Sequence, residues 1–236
     1  MGYRRIIFII DVEIAILIYY CFSMYSNVEI KENNIYELTG VLSSGGGYFC
    51  SILHGGFYLA LFTILLSQAL GHFDIQLLIR MNKKDILIKK ICTIGKYSLV
   101  FVIMLISVML LKLNMSFEQN FLVESGVYNV MLIYGIYLYV YYCLAGCAYL
   151  YIYIMTMRRG VSMLTTVSLG ILLVFVERGR IIDGFLSKMD LLDKYFLAEG
   201  VNISSYISNL AELFMVICVA CFVSYIALIR KDFIKG

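Results

Sequence analysis

The sequence predicts an all-α integral membrane protein of six transmembrane helices, folded as a single domain over 1–236. Three observations lead there. Apolar residues make up 62% of the 236 residues and charged ones only 15%, with a mean hydropathy of +0.89, which is more apolar side chain than a soluble core of this length can bury. The apolar residues fall into six stretches, each near the roughly 20 residues that cross a bilayer as a helix. The basic residues, finally, are divided unequally between the two sides that these stretches define.

The stretches lie at 5 to 24, 48 to 70, 94 to 113, 128 to 154, 161 to 176 and 209 to 229. The first follows only Met1 to Arg5 and resembles a signal peptide in position, but Asp11 and Glu13 interrupt its apolar run and no small-residue cleavage site follows Cys21, so it reads as a mature span. Gly45, Gly46 and Gly47 precede the second span and Gly55 and Gly56 lie inside it. With proline absent from the chain, these glycines are either hinge points or, preferably, places where a neighbouring helix packs against bare backbone.

The fifth span is short for a crossing. The segment after it contains Ile181 to Leu186 and Leu191 to Leu197, two amphipathic pieces expected to form short helices at or dipping into the outer surface, in preference to a partly ordered hydrophilic loop, for which the apolar content is high. Six spans place both termini on one side. With the termini inside, inner segments carry 13 of the 19 basic residues, among them Arg4, Arg5, Arg80, Lys83, Lys84, Lys89, Lys90, Arg158, Arg159 and Arg230, against six on the outer side. Positive loops stay cytoplasmic, which predicts cytoplasmic termini and residence in a cell membrane.

The small formal charge of +3, with basic residues beside apolar stretches and not clustered with exposed aromatics, argues against a nucleic-acid partner. No phosphate-binding Gly-x-x-x-x-Gly-Lys-Ser/Thr loop is present, so ATP and its Mg would have to be bound by another subunit. There is likewise no Gly-x-Ser-x-Gly elbow and no His-Glu-x-x-His zinc helix. The chain is read as no enzyme in itself, with no catalytic residues and no metal. Seven cysteines lie in or beside apolar stretches and suggest no disulfide framework. Cys218 and Cys221 have the spacing of a metal or redox pair, but within a span they read as small apolar packing.

Candidates for a substrate path are polar groups inside spans. Asp11 and Glu13 point roughly 200° apart on a helix of 3.6 residues per turn. They do not form a paired-carboxylate site, and either a functional cavity or pairing with Lys96 or Arg158 would satisfy them. His54 suits a proton route or a metal, yet with no second histidine or acid near it in sequence a hydrogen-bonded packing role is preferred. The fourth span is tyrosine-rich, and Tyr134, Tyr137 and Tyr141 share one helical face. They either line a path for an amphipathic substrate or act as interfacial anchors. Tyr141 and Tyr142, in the middle of the span, fit the anchor role least.

Between the second and third spans runs the cationic segment His72-Phe73-Asp74-Ile75-Gln76-Leu77-Leu78-Ile79-Arg80-Met81-Asn82-Lys83-Lys84-Asp85. With Ser44-Gly45-Gly46-Gly47-Tyr48-Phe49 before it, the chain resembles the membrane subunits of type-2 ABC exporters, particularly small six-span permeases of bacterial bacteriocin or lantibiotic export and immunity. It differs from them in having only Met1 to Arg5 before the first span, where that family commonly carries an amphipathic helix. The resemblance implies a bacterial cytoplasmic-membrane permease that moves an amphipathic peptide or lipid-like substrate. Its partners would be a cytoplasmic ABC ATPase, a second permease copy or a homologous permease, and membrane lipid. It also implies that Phe73, Asp74, Leu77, Arg80, Met81 and Asn82 form the coupling element on the ATPase, and that the short outer helices re-enter the membrane. The alternatives are a stand-alone immunity or sensor protein that binds a peptide, and an intramembrane enzyme using Glu13, His54 or Glu177 with Arg178.

Overall fold

The computed structural model describes residues 13–14, 16–18, 34–43, 50–71, 83–178 and 203–230. Every element among them is an α-helix: α1 Ile35–Ser43, α2 Ser51–Gly55, α3 Phe57–Leu70, α4 Lys83–Ser116, α5 Gln119–Glu124, α6 Val127–Thr156, α7 Arg159–Arg178 and α8 Ile203–Arg230. Four stretches are long and apolar enough to cross a membrane: Ser51–Leu70, Lys83–Ser116, Val127–Thr156 and Arg159–Val176. In α8, Phe214–Arg230 forms a shorter apolar helix. Most of the expected first span, the coupling element from Phe73 to Asn82 and the two short outer helices lie outside the described residues.

Two expected boundaries change. The third span was expected to begin at 94, but α4 starts at Lys83 and runs 34 residues, about 51 Å at 1.5 Å per residue. The helix is therefore longer than the bilayer core is thick, and its lysine-rich first turns continue the same axis. Ile86, Leu87, Ile94, Phe101, Val102, Leu105, Val108 and Met109 are buried along it, at the three-, four- and seven-residue intervals that keep one face inward. The fifth span was expected over 161 to 176. Helix α7 instead has 20 residues and reaches about 30 Å, enough for the hydrocarbon core.

Helix α6 is central, packing against α3, α4, α5, α7 and α8. Its inward face carries Val130, Met131, Tyr134, Tyr137, Leu138, Tyr141, Tyr142, Tyr149, Leu150 and Tyr153, all buried. In α7 and α8, by contrast, Leu164, Phe175, Phe214 and Phe222 are 63–73% exposed, as expected where hydrocarbon and not protein is the neighbour. Short links give the hairpins. At one end, α5 and a turn through Gly126 at φ 71° join α4 to α6, and the Tyr128 hydroxyl donates to Asn114 Oδ1 at 2.9 Å. At the other, α6 passes into α7 through Met157, whose left-handed φ of 56° closes the helix while its N–H donates to the Tyr153 carbonyl.

That second end is basic. Lys90 Nζ donates to the Leu70 carbonyl, which caps α3, and it lies close enough to Arg159 to be repelled by it. Lys83 Nζ donates to the Ile229 carbonyl at 3.2 Å. The end of α3, the start of α4, the α6–α7 turn and the end of α8 therefore converge, bringing Lys83, Lys84, Lys90, Arg158, Arg159 and Arg230 to one side of the bundle.

The second span is broken. Gly56, between α2 and α3, has φ −113° and ψ −86°, away from helical values. Hydrogen bonds resume on both sides, Gly56 N–H to Ile52 at 2.9 Å and Ala60 N–H to Gly56 at 2.9 Å. One residue earlier, α2 crosses α7 backbone to backbone. A Cβ on Gly55 would lie 2.9 Å from the Gly170 carbonyl oxygen, and one on Gly170 would collide with Leu59 and the Gly55 carbonyl. The glycine pair thus provides close packing at Gly55 and a break at Gly56, two functions that the sequence offered as alternatives.

Candidate functional site: a buried histidine among tyrosines

His54 occupies the last turn of α2 and is fully buried. The break at Gly56 and the close approach of α2 to α7 hold this turn inside the bundle, where the imidazole faces α6. The Tyr134 hydroxyl lies 2.7 Å from His54 Nε2 and the Tyr142 hydroxyl 3.1 Å from Nδ1. Tyr141 adds a longer bond, its hydroxyl donating to the His54 carbonyl oxygen at 3.4 Å. Tyr134, Leu138 and Tyr142 follow one another at four-residue steps along α6, so the two phenols sit one above the other and clasp opposite edges of the ring.

The setting is aromatic. Tyr58, one turn past His54 across the break, places its ring centroid 5.1 Å from the imidazole. Tyr142 stands edge-on to Phe101 at 4.9 Å and lies 5.0 Å from Phe62, which in turn lies 5.4 Å from Phe101. Helices α2, α3, α4 and α6 all contribute, and offset or edge-to-face rings at these separations are the favourable ones.

A neutral imidazole donates from one nitrogen and accepts at the other. Of Tyr134 and Tyr142, one therefore donates to the ring and the other accepts from it, and a change of tautomer reverses the order. The centre can relay hydrogen-bond polarity between two phenols without charging any of them, which suits an apolar interior where a bare charge is costly. Among the described residues no group of three or more His, Cys, Asp or Glu side chains comes together as a metal site. The arrangement is that of a polar clasp between helices.

Of the path candidates, His54, Tyr134 and Tyr141 meet. Tyr137 is buried on the same face of α6. Glu13 is exposed, and Asp11 lies outside the described residues. Phe73, Asp74, Leu77, Arg80, Met81 and Asn82 also lie outside them. Two participants were not singled out as site residues, Tyr142 and Tyr58. The four-residue steps from Tyr134 to Tyr142 and from His54 to Tyr58 were the available signal. Cys221 turns toward Cys147 of α6, with the sulfurs 3.7 Å apart, while Cys218 is exposed. The Cys-x-x-Cys spacing therefore does not bring its own two thiols together as a pair. No family model, curated protein or solved structure matches this chain.

Proposed function

We propose that the chain is the membrane-spanning permease subunit of an ABC-type exporter, moving an amphipathic peptide or lipid-like substrate across a bacterial cytoplasmic membrane while a separate ATPase subunit hydrolyses ATP. The observation that carries this reading is the convergence of helix ends on the basic side of the bundle. The chain leaves α3 at Leu70 and re-enters α4 at Lys83 on that side, with Lys90 bonded to the Leu70 carbonyl. The helix ends that flank this stretch, Leu70 and Lys83, stand on the side that carries Arg158, Arg159 and Arg230, and the sequence between them contains Phe73, Asp74, Leu77, Arg80, Met81 and Asn82. Positive charge marks the cytoplasmic side, where a soluble motor would dock.

The broken second span supports the same reading. A motor acting on an inner segment does work only if the membrane helices have two arrangements that it favours unequally. The Gly56 break lies one residue from the Gly55–Gly170 crossing and two from the His54 clasp, so motion of α3 relative to α2 would be felt by both α6 and α7. Two copies, or this chain and a similar one, would enclose the substrate path.

The test is gentle detergent purification of the tagged full-length chain from its own host, with mass spectrometry of co-eluting proteins. A protein bearing a nucleotide phosphate loop is expected, and it should be lost from a Phe73→Asp, Leu77→Asp variant whose unfolding midpoint is unchanged. A chain that repeatedly purifies without any ATPase overturns the exporter reading. Retention of the ATPase by the double variant overturns the coupling assignment.

A further inference from the structure

Near the basic end, the last turns of α6 and α8 diverge and leave a groove of about 410 Å³, within the roughly 300–1,000 Å³ range of small-ligand sites. Tyr151 and Met155 of α6 form one wall and Val223, Ile226 and Ala227 of α8 the other, with Arg230 at the mouth. Met155 is 54% and Val223 40% exposed, so among the described residues the groove opens sideways from the bundle, toward the space that hydrocarbon fills in a bilayer. Its polarity is graded. The walls are apolar apart from the Tyr151 hydroxyl, and the guanidinium stands at the end where Lys83 Nζ bonds to the carbonyl of the neighbouring Ile229 at 3.2 Å.

We infer that this groove is a binding site for an anionic phospholipid, with one acyl chain along Met155, Val223, Ile226 and Ala227 and the phosphate held by Arg230. Charge complementarity selects the occupant. An arginine stem lies comfortably along apolar surface while its planar head reaches the interface, and guanidinium pairs with phosphate through two parallel hydrogen bonds. Lys83 adds a second cation at the same level and disfavours a zwitterionic headgroup, whose own ammonium it would repel. A soluble peptide would have to lose its backbone hydration to lie in walls that offer almost no polar partner. The site is independent of any ATPase, so it stands or falls separately from the exporter reading.

Native mass spectrometry of the full-length chain in detergent, titrated in parallel with phosphatidylglycerol and phosphatidylcholine, tests it. The intact chain is expected to retain phosphatidylglycerol preferentially. Arg230→Gln should weaken that retention roughly five- to tenfold while leaving phosphatidylcholine unchanged. Val223→Trp, which fills the groove from its open side, should reduce retention without touching the charge. Lys112→Gln, at the far end of α4, should have no effect. Equal retention of the two lipids, or phosphatidylglycerol retention that survives both Arg230→Gln and Val223→Trp, would overturn the site. So would recovery of a bound peptide that phosphatidylglycerol does not displace.

Discussion

The Tyr134 hydroxyl and His54 Nε2 meet at 2.7 Å although 80 residues separate them in sequence. With Tyr142 on the opposite ring edge at 3.1 Å, this contact joins the broken second span to the central helix. Removing one phenol leaves a buried imidazole nitrogen without that partner. Tyr134→Phe and Tyr142→Phe should each lower stability by about 0.5–2 kcal/mol, read as SDS-induced unfolding in mixed micelles. In a His54→Phe background both effects should shrink well below their single-variant values, because the shared partner is gone. Full additivity would show that the three side chains do not act as a unit.

The Gly55–Gly170 crossing leaves no room for a side chain. Gly170→Val should destabilise the bundle by about 1–3 kcal/mol through overpacking against Leu59 and the Gly55 carbonyl. A Cβ on Gly160, in the same helix, meets nothing within 4 Å, so Gly160→Ala should stay within about 0.5 kcal/mol of the parent. Similar unfolding curves for the two variants would refute the backbone contact.

Met157 is the sole non-glycine residue with positive φ among those described. A left-handed conformation costs an L-residue about 1–2 kcal/mol, partly offset in a glycine variant by its greater freedom in the unfolded chain. Met157→Gly should therefore raise stability by up to about 1 kcal/mol. A drop in unfolding midpoint would mean that the Met157 side chain contributes more than its backbone costs.

Helices α6 and α8 are held in register where Cys147 and Cys221 place their sulfurs 3.7 Å apart. In a variant keeping only these two cysteines, copper phenanthroline in air should form an intramolecular disulfide, with loss of two hydrogens and of both alkylation sites in the intact mass. Moving the second thiol in a Cys221→Ala, Cys218-retaining variant should abolish the cross-link.

How much of this was legible beforehand varies by residue. The sequence favours a hydrogen-bonded packing role for His54, and the side chain is bonded on both ring edges. Its partners could not be read, because they are set by how α2 and α6 rotate against each other and not by local spacing. Tyr134 and Tyr141 were grouped by helical periodicity, and both reach His54. Tyr142 stands out in the sequence only by its mid-span position, with no partner near it along the chain. The early start of α4 at Lys83 escaped a reading based on apolar length, since its first turns are charged and become helix by continuing an existing axis. Extending a helix avoids the cost of nucleating a new one.

Composition and the order of residues along the chain were enough to determine that this is a helical chain with several membrane-length apolar segments and an uneven distribution of positive charge. Those properties compare a one-dimensional pattern with the thickness and polarity of a bilayer, and no partner residue needs to be known. The tertiary structure alone decided that Gly55 would meet Gly170, that His54 would be clasped by Tyr134 and Tyr142, and that six cations from the start of α4, the α6–α7 turn and the end of α8 would gather on one side. Each of these is a contact between segments distant in sequence, selected by which helix faces fit together once lipid offers every apolar face an equally good solvent.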